Sequence, residues 1–242
     1  MAHRHAALRA EVHAANLELT RSGLVMGTFG NVSGIDRRHG LMAIKPSGVP
    51  YERLKPADIV LVALDTGAIV DSNLRPSSDT PTHLELYRAF ENCGGIVHTH
   101  SEHATALAQA GLPVRCLGTT HADHFRGDVP VTRALRKKEV ESEYERNTGL
   151  VIVETFRRGR LSPHEVQAVL VVSHGPFTWG PTAAAAVENA AILEYLARME
   201  IHVRAMGFGH ELERPAAYLV DKHYLRKHGA TAYYGQARKG RK

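Results

Sequence analysis

The sequence predicts one domain in which a β-sheet is covered by α-helices, a fold of the α/β or α+β class. Three observations support this prediction. The 242 residues are enough to bury one hydrophobic core. Short apolar runs bounded by turn residues, such as 58–64, alternate with longer segments of helical periodicity. Loops rich in glycine and serine separate the two kinds of segment.

The first element is predicted to be an amphipathic helix. Leu8, Val12, Ala15 and Leu19 recur at helical spacing, and Gly23 ends the run. Further helices are predicted to start at Thr80, where a proline follows in the first turn, and to span 102–110, 182–206 and 215–228.

Strands are predicted where β-branched and other apolar residues run together between turns. These runs are 41–44, 58–64, 68–70, 95–100, 151–153 and 168–173. We expect residues 27–34 to form a loop because glycine is so frequent there, and residues 119–123 to form a polar loop.

The charge distribution argues against a nucleic-acid partner. Lys and Arg number 30 against 25 Asp and Glu, a formal net charge of +5. Four of the basic residues lie within the last five positions, and without them 26 basic residues face 25 acidic ones. The basicity therefore belongs to a short tail, 237–242, which we expect to be disordered, while residues 1–236 form the domain.

Other protein classes are also disfavoured. The longest apolar runs are far shorter than the roughly 20 residues that span a bilayer, so we expect no membrane association. The N-terminal segment lacks the apolar core of a secretory signal, and we therefore expect a cytoplasmic protein. Cys93 and Cys116 are too few for a disulfide scaffold and are expected to be buried free thiols.

The strongest local signal for chemistry is a pair of histidines two residues apart. His98 and His100 lie on the predicted strand 95–100, so both imidazoles project to the same face. His174, after the strand 168–173, offers a third imidazole. Three histidines at strand ends leave an open coordination position, which is typical of a catalytic metal site, and a carboxylate such as Asp79 can fill or guard that position.

Spacing alone leaves alternatives to this ligand set. The chain has 16 histidines, so some pairs fall two residues apart by chance. His103 and His121 also lie near in sequence and remain possible ligands.

Three short polar loops indicate a phosphate site. Small hydroxyl residues beside glycine allow backbone N–H groups and hydroxyls to converge on an anion, and Lys45 can add a positive charge. Each loop alone is an ordinary turn signal. The chain has neither the P-loop nor the dinucleotide-binding fingerprint, so ATP and NAD are not supported. The loop residues are Gly30 and Asn31, Ser47 and Gly48, and Ser77 and Ser78.

Two further segments have either a structural or a chemical interpretation. Asp123 ends the polar segment 119–123 and can cap the next element. Tyr233 and Tyr234 near the C-terminus can pack the last helix against a neighbouring element. On the residues alone, the structural interpretation is favoured for both segments.

Several ordered motifs together resemble the class II aldolase/adducin family. They are Gly27-Thr28-Phe29-Gly30-Asn31-Val32-Ser33, Lys45-Pro46-Ser47-Gly48, Arg75 to His83, Gly94 to Ser101 and Ser173-His174-Gly175-Pro176-Phe177. The resemblance runs from about Leu8 to Gln236. Within the family, the segments 118–123, 221–230 and 232–236 are similar to those of members that epimerise L-ribulose 5-phosphate at C4. Phe29, Gly34 and His124 depart from the family pattern.

The resemblance implies a fold, a ligand set and an assembly. The implied fold is a single-domain three-layer α/β sandwich, with a central, mostly antiparallel or mixed sheet flanked by helices. One divalent cation per subunit, expected to be Zn²⁺, is implied at His98, His100 and His174, with Asp79 at or near it. The six loop residues are implied to bind the phosphate of a small sugar phosphate. A C4 homotetramer with active sites between subunits is also implied.

The implied activity is epimerisation of L-ribulose 5-phosphate to D-xylulose 5-phosphate by breaking and re-forming the C3–C4 bond. Asp123 and Tyr234 are the implied acid/base pair. The nearest alternative is a class II sugar-phosphate aldolase, such as one acting on L-fuculose 1-phosphate. That pattern has glutamate in place of Asp79 and lacks the ending 233–236. A non-catalytic, adducin-like interaction domain is disfavoured because the three histidines are present.

Overall fold

A seven-stranded antiparallel sheet forms the centre of the molecule. The computed structural model describes residues 5–207, 212–230 and 232–233. Within these ranges the strand order is β4-β3-β2-β1-β5-β7-β6, and every neighbouring pair runs antiparallel. The strands are β1 (Asn31–Asp36), β2 (Leu41–Ile44), β3 (Val60–Ala63), β4 (Ile69–Asp71), β5 (Gly95–His98), β6 (Ala168–Val171) and β7 (Gly175–Gly180).

Helices cover both faces of the sheet. The first and seventh helices pack on one face, against β1, β5 and β7, while the second and sixth pack together over the other face. This arrangement confirms the expected three-layer α/β sandwich. The helices are α1 (Ala6–Arg21), α2 (Thr80–Ala89), α3 (Glu102–Gln109), α4 (Thr119–Ala122), α5 (Lys137–Glu141), α6 (Tyr144–Gly159), α7 (Ala183–Ala205) and α8 (Ala217–His228). No helix in the described ranges combines the length and hydropathy that crossing a lipid bilayer requires.

Alternation along the strands divides the core between the two faces. In β2, Met42 and Ile44 join the hydrophobic cluster that contains Leu86 of α2. Ala43 lies between them and joins the cluster of Val12 on α1. Successive side chains of a strand point to opposite faces, so a four-residue strand contributes to both layers.

One predicted strand is wrong. Residues 151–153 lie inside α6, although valine and isoleucine favour strands. Thr148, Ile152 and Phe156 are buried at a spacing of four residues, and the last two join the core cluster that also holds Phe90 beyond α2. Burial of this stripe against α2 outweighs the weak intrinsic preference of β-branched residues.

Two predicted loops are partly regular structure. Residues 31–34, expected in a glycine-rich loop, form the first part of β1, which pairs with both β2 and β5. Their polar side chains are hydrogen-bonded inside the fold: Ser33 Oγ lies 2.7 Å from His83 Nδ1 and 2.8 Å from Tyr87 Oη. Residues 119–122, expected in a polar loop, form the short helix α4, and Asp123 is its C-cap residue.

The imidazole of His83 is buried in the centre of the molecule and makes the fold sensitive to acid. The side chain is fully buried, and burial lowers its pKa to about 3, with the neighbouring Asp79 opposing the shift. The unfolded chain takes up a proton near the ordinary histidine pKa of about 6.5. The folded state therefore binds fewer protons between pH 6.5 and 3, and its stability falls as the pH drops through that range.

We expect the free energy of unfolding to decrease by about 1.4 kcal/mol per pH unit below pH 6.5 for each such histidine. Urea denaturation between pH 7.5 and 5, with a chelator present, measures this slope. The slope should be shallower in His83→Gln, whereas the same change at exposed His202 should leave it unaltered. Equal slopes in all three proteins would contradict the prediction.

Candidate active site

A cavity of about 410 Å³ opens at one end of the sheet. Antiparallel pairing places the start of β1 beside the end of β5, with Asn31 opposite His98. Ile44 at the end of β2 pairs with Ser33, so Lys45 and the loop after it lie at the same end. The residues that line the cavity are Thr28 to Asn31, Lys45 to Gly48, Ser77 to Asp79, His98, His100, Tyr144, Glu145 and His174.

The three predicted histidines converge in this cavity. His98 is the last residue of β5, His100 follows two residues later, and His174 lies in the turn between β6 and β7. Their ring centroids are separated by 5.0 Å (His98 to His100), 4.8 Å (His98 to His174) and 5.1 Å (His100 to His174). One candidate ligand nitrogen from each ring lies within 4.8 Å of the others. Such spacing suits three ligands of one cation.

The ring of His98 is held by the backbone of the neighbouring strand. Its Nδ1 lies 2.9 Å from the carbonyl oxygen of Pro176, which accepts a hydrogen bond from Nδ1–H. The ring also stacks on Phe177, with centroids 4.2 Å apart and an interplanar angle of 16°. A neutral imidazole that donates through Nδ1 keeps the lone pair on Nε2, and this atom lies 3.1 Å from Nε2 of His100.

The electrostatic environment keeps the other two imidazoles neutral at pH 7. Burial and then the adjacent His98 and His100 together lower the pKa of His174 to about 4, with Asp79 opposing the shift. The pKa of His100 is also lowered, first by burial and then by His98. Two imidazole nitrogens 3.1 Å apart repel each other if both carry a proton, whereas both can bind one cation through their lone pairs. The donor set therefore fits a divalent metal ion.

Asp79 lies on the cavity wall beside the histidines and is half-buried. Its Oδ2 accepts a hydrogen bond of 2.6 Å from Nδ2 of Asn31. Burial raises the pKa of this carboxyl, but the electrostatic interaction with the nearby His98 and His83 and the Asn31 hydrogen bond outweigh burial, so the pKa is below its usual range. The cluster of nitrogens close enough to bind one cation contains the three imidazoles and does not include Asp79. Direct ligation of a cation by Asp79 remains a prediction.

All six residues of the predicted phosphate loops line the same cavity. Two of the loops are tied together by backbone hydrogen bonds of 3.0 Å, from Ser47 N to Arg75 O and from Ser77 N to Lys45 O. Gly30 adopts φ +75°, and a Cβ at this position would lie 3.0 Å from the carbonyl oxygen of His98. Glycine therefore allows the first loop to lie directly against the histidine strand.

The ammonium group of Lys45 adds a buried positive charge to the loops. The residue is 2% exposed, and burial lowers its pKa. Its Nζ lies 3.5 Å from two backbone carbonyl oxygens and 4.6 Å from the ring centroid of Tyr51. A buried cation with such long contacts favours an anionic ligand in the cavity.

Asp123 lies elsewhere in the chain and is not a lining residue of the cavity. Arg226 of α8 donates to both of its carboxylate oxygens, at 2.9 Å to Oδ1 and 2.6 Å to Oδ2, and His223 Nδ1 lies 3.0 Å from Oδ1. Burial raises the pKa of Asp123, but the hydrogen bonds from Arg226 and His223 outweigh burial and the pKa is lowered. Tyr234 and the tail 237–242 lie outside the described residues.

Sequence reasoning missed two residues of the cavity, Tyr144 and Glu145. Both belong to the first turn of α6. The signal that could have found them is the helical stripe of Thr148, Ile152 and Phe156, which places a helix start just before residue 145.

Comparison with known proteins agrees with the fold. Residues 10–201 match the family described as "Class II Aldolase and Adducin N-terminal domain". The chain belongs to the class II aldolase and adducin family.

Solved structures of this family share the fold over nearly the whole chain. An L-fuculose 1-phosphate aldolase is 25% identical, with a TM-score of 0.74, and the match covers 90% of this chain and 94% of that one. L-fuculose-1-phosphate aldolase from Thermus thermophilus is 26% identical, with a TM-score of 0.64 and coverage of 83% and 96%. YgbL from Klebsiella pneumoniae, for which aldolase, epimerase and decarboxylase activities are considered, is 26% identical, with a TM-score of 0.68 and coverage of 89% and 97%.

Proposed function

We propose that this protein is an L-ribulose-5-phosphate 4-epimerase, which interconverts L-ribulose 5-phosphate and D-xylulose 5-phosphate. The observation that carries the proposal is that three imidazoles and three polar loops meet in one cavity of about 410 Å³. The two ends of a sugar phosphate match the two parts of this cavity. Its carbonyl and hydroxyl oxygens suit a cation, and its phosphate suits backbone N–H groups, hydroxyls and a buried lysine.

The position of the ketone determines which chemistry inverts C4. The ketone is at C2 and acidifies the hydrogen on C3, so C4 is not inverted by simple deprotonation. Inversion instead requires that the C3–C4 bond break, that the aldehyde fragment rotate to present its other face, and that the bond then re-form. A bound divalent cation, Zn²⁺ in this proposal, supplies Lewis-acid stabilisation of the negative charge that bond breaking leaves.

The polar loops have a separate task in this reaction. Bond breaking detaches glycolaldehyde phosphate, which must stay in the site until it recombines. We assign its phosphate to the loops of Gly30, Ser47 and Ser77, with Lys45 neutralising part of its charge. Retention keeps the return step effectively unimolecular, which is worth several orders of magnitude in effective concentration.

Asp123 and Tyr234 complete the proposed machinery as the acid/base pair. The C4 oxygen points in a different direction in each epimer. Each of the two groups can exchange a proton with this oxygen in one of the two orientations. The lowered pKa of Asp123 keeps it a carboxylate at neutral pH, the form that accepts a proton. Because Asp123 does not line the cavity of its own subunit, we assign it to the cavity of a neighbouring subunit in a cytoplasmic C4 homotetramer.

Product analysis separates this proposal from its main alternative. The named relatives that act on L-fuculose 1-phosphate support a class II aldolase, which shares the fold and the bond cleavage. Asp79 and the ending 233–236 favour the epimerase. Incubation of the purified protein with L-ribulose 5-phosphate should yield D-xylulose 5-phosphate. Accumulation of free glycolaldehyde phosphate, with no epimer formed, would establish an aldolase instead.

Replacing Tyr234 with phenylalanine should lower the rate of epimerisation by about 10²-fold, the usual contribution of a general acid or base. The substitution removes only the hydroxyl that exchanges the proton, so metal content should not change. Steady-state kinetics with both epimers and elemental analysis measure the two quantities. Turnover equal to wild type would remove Tyr234 from the proposed mechanism.

A further inference from the structure

The hydroxyl group of Tyr144 contacts one of the three clustered histidines. Its Oη lies 3.2 Å from Nδ1 of His174, and the two rings are stacked with centroids 6.2 Å apart and an interplanar angle of 23°. Tyr144 is half-buried and lines the cavity. Neither composition nor spacing in the sequence pointed to this residue.

The backbone around Tyr144 is fixed by its neighbours. Thr148 Oγ1 donates to the Tyr144 carbonyl oxygen at 2.9 Å, and Thr82 of α2 donates to the carbonyl oxygen of Glu145 at 2.5 Å. The start of α6 is therefore anchored to α2. A side chain on this anchored turn can hold a partner ring in one orientation.

His174 needs such a partner more than His98 does. His98 lies on β5, and the Pro176 carbonyl oxygen accepts its Nδ1 proton. His174 lies in a turn next to Ser173, which has a φ of 59°. Within the described ranges, the hydrogen-bond partner of its ring is the Tyr144 hydroxyl, 3.2 Å away.

The direction of this hydrogen bond decides whether His174 can bind a metal through its other nitrogen. A tyrosine hydroxyl both donates and accepts, and a neutral imidazole has one N–H and one lone pair. When Nδ1–H donates to Tyr144 Oη, the lone pair of Nε2 is free for a cation. When Tyr144 donates instead, Nε2 carries the proton and cannot be a ligand. Metal binding through Nε2 therefore requires Tyr144 to be the acceptor.

We propose that Tyr144 is a positioning residue for the cation site. Its hydroxyl oxygen accepts a hydrogen bond from Nδ1–H of His174, which fixes the tautomer and orientation of the ring and increases the basicity of the ligating nitrogen. Partners of this kind typically change metal affinity by 10- to 100-fold when they are removed. The inference rests on the proposed function only in requiring a divalent cation at the histidines, and it holds for an epimerase or an aldolase alike.

The test measures the metal affinity of Tyr144→Phe, which keeps the ring and removes the hydroxyl. Metal-free full-length protein is titrated with Zn²⁺ against a chromogenic chelator, and the absorption spectrum of the Co²⁺ form reports ligand geometry. We expect Tyr144→Phe to bind Zn²⁺ about 10- to 100-fold more weakly, with a shifted Co²⁺ spectrum. The matched control is Tyr195→Phe, at a side chain of α7 that is 49% exposed. It should match wild type in both measurements.

The outcomes distinguish this inference from the proposed function. A purely structural role for Tyr144 would alter thermal stability without altering the Co²⁺ spectrum of the folded, metal-loaded protein, and that result would overturn the inference. Affinities within threefold of wild type would also overturn it while leaving the metal site and the proposed reaction intact. If wild-type protein binds neither Zn²⁺ nor Co²⁺, the inference and the proposed function both fail.

Discussion

Replacing His98 with alanine is expected to remove the divalent cation and to lower turnover of L-ribulose 5-phosphate by about 10³-fold or more. Lewis-acid stabilisation contributes several kcal/mol to the transition state, and each 1.36 kcal/mol corresponds to a factor of ten in rate. His98 is one of the three proposed ligands, and its ring is held by the Pro176 carbonyl oxygen and by stacking on Phe177. Elemental analysis and a xylulose 5-phosphate assay measure the two effects.

His103→Ala is the matched control for this prediction, because sequence spacing alone left His103 as a possible ligand. In the structure His103 Nδ1 lies 2.7 Å from Glu194, and the residue is not among those lining the cavity. The His103→Ala protein should therefore retain the cation. Wild-type enzyme that is active without a bound cation and indifferent to chelators would refute the metal-dependent account, as would unchanged metal content in His98→Ala.

Replacing Gly95 with alanine is expected to destabilise the fold by about 3 kcal/mol or more. Gly95 begins β5, and a Cβ there would lie 2.4 Å from both the backbone nitrogen and the Cα of Ala183. These are backbone atoms at the start of α7, where Thr182 accepts a hydrogen bond of 3.1 Å from Ala185 N. Relief of the clash requires α7 to move away from the sheet. Chemical denaturation of the two proteins measures the loss.

Gly118→Ala is the control for the substitution at Gly95. A Cβ at Gly118 meets nothing within 4 Å, and the residue has an extended φ of −170°. Its unfolding midpoint should stay close to that of wild type. Since β5 also ends in His98, Gly95→Ala should weaken metal binding as well. Wild-type stability in Gly95→Ala would show that α7 does not approach the strand as closely as described.

Local sequence patterns predicted much of the site. A period of two correctly predicted that His98 and His100 lie together, although β5 ends at His98 and His100 lies two residues beyond the strand. The frequency of glycine and serine correctly predicted that three polar loops lie together, and their residues line the cavity beside the histidines. The convergence of Ser47, Ser77 and His174 is a property of strand order, which neither composition nor local spacing determines.

The errors have particular physical causes. The β-branched run at 151–153 was assigned by intrinsic preference, and this concealed α6 and with it Tyr144 and Glu145. The segment 175–180 was not predicted as a strand, since glycine and proline are typical of turns. Pro176 is tolerated near the start of β7, and its carbonyl oxygen holds His98.

The contact between His98 and β7 joins segments far apart in the chain, with Pro176 being 78 residues beyond His98. A one-residue slip of β5 would carry His98 to the opposite face of the sheet. A nascent chain that has not yet reached residue 174 holds two of the three imidazoles. In the proposed metal-dependent reaction, the complete cation site forms only once residue 174 has been synthesised and β5 has paired in register. Cation binding would then stabilise the native register relative to misregistered conformers.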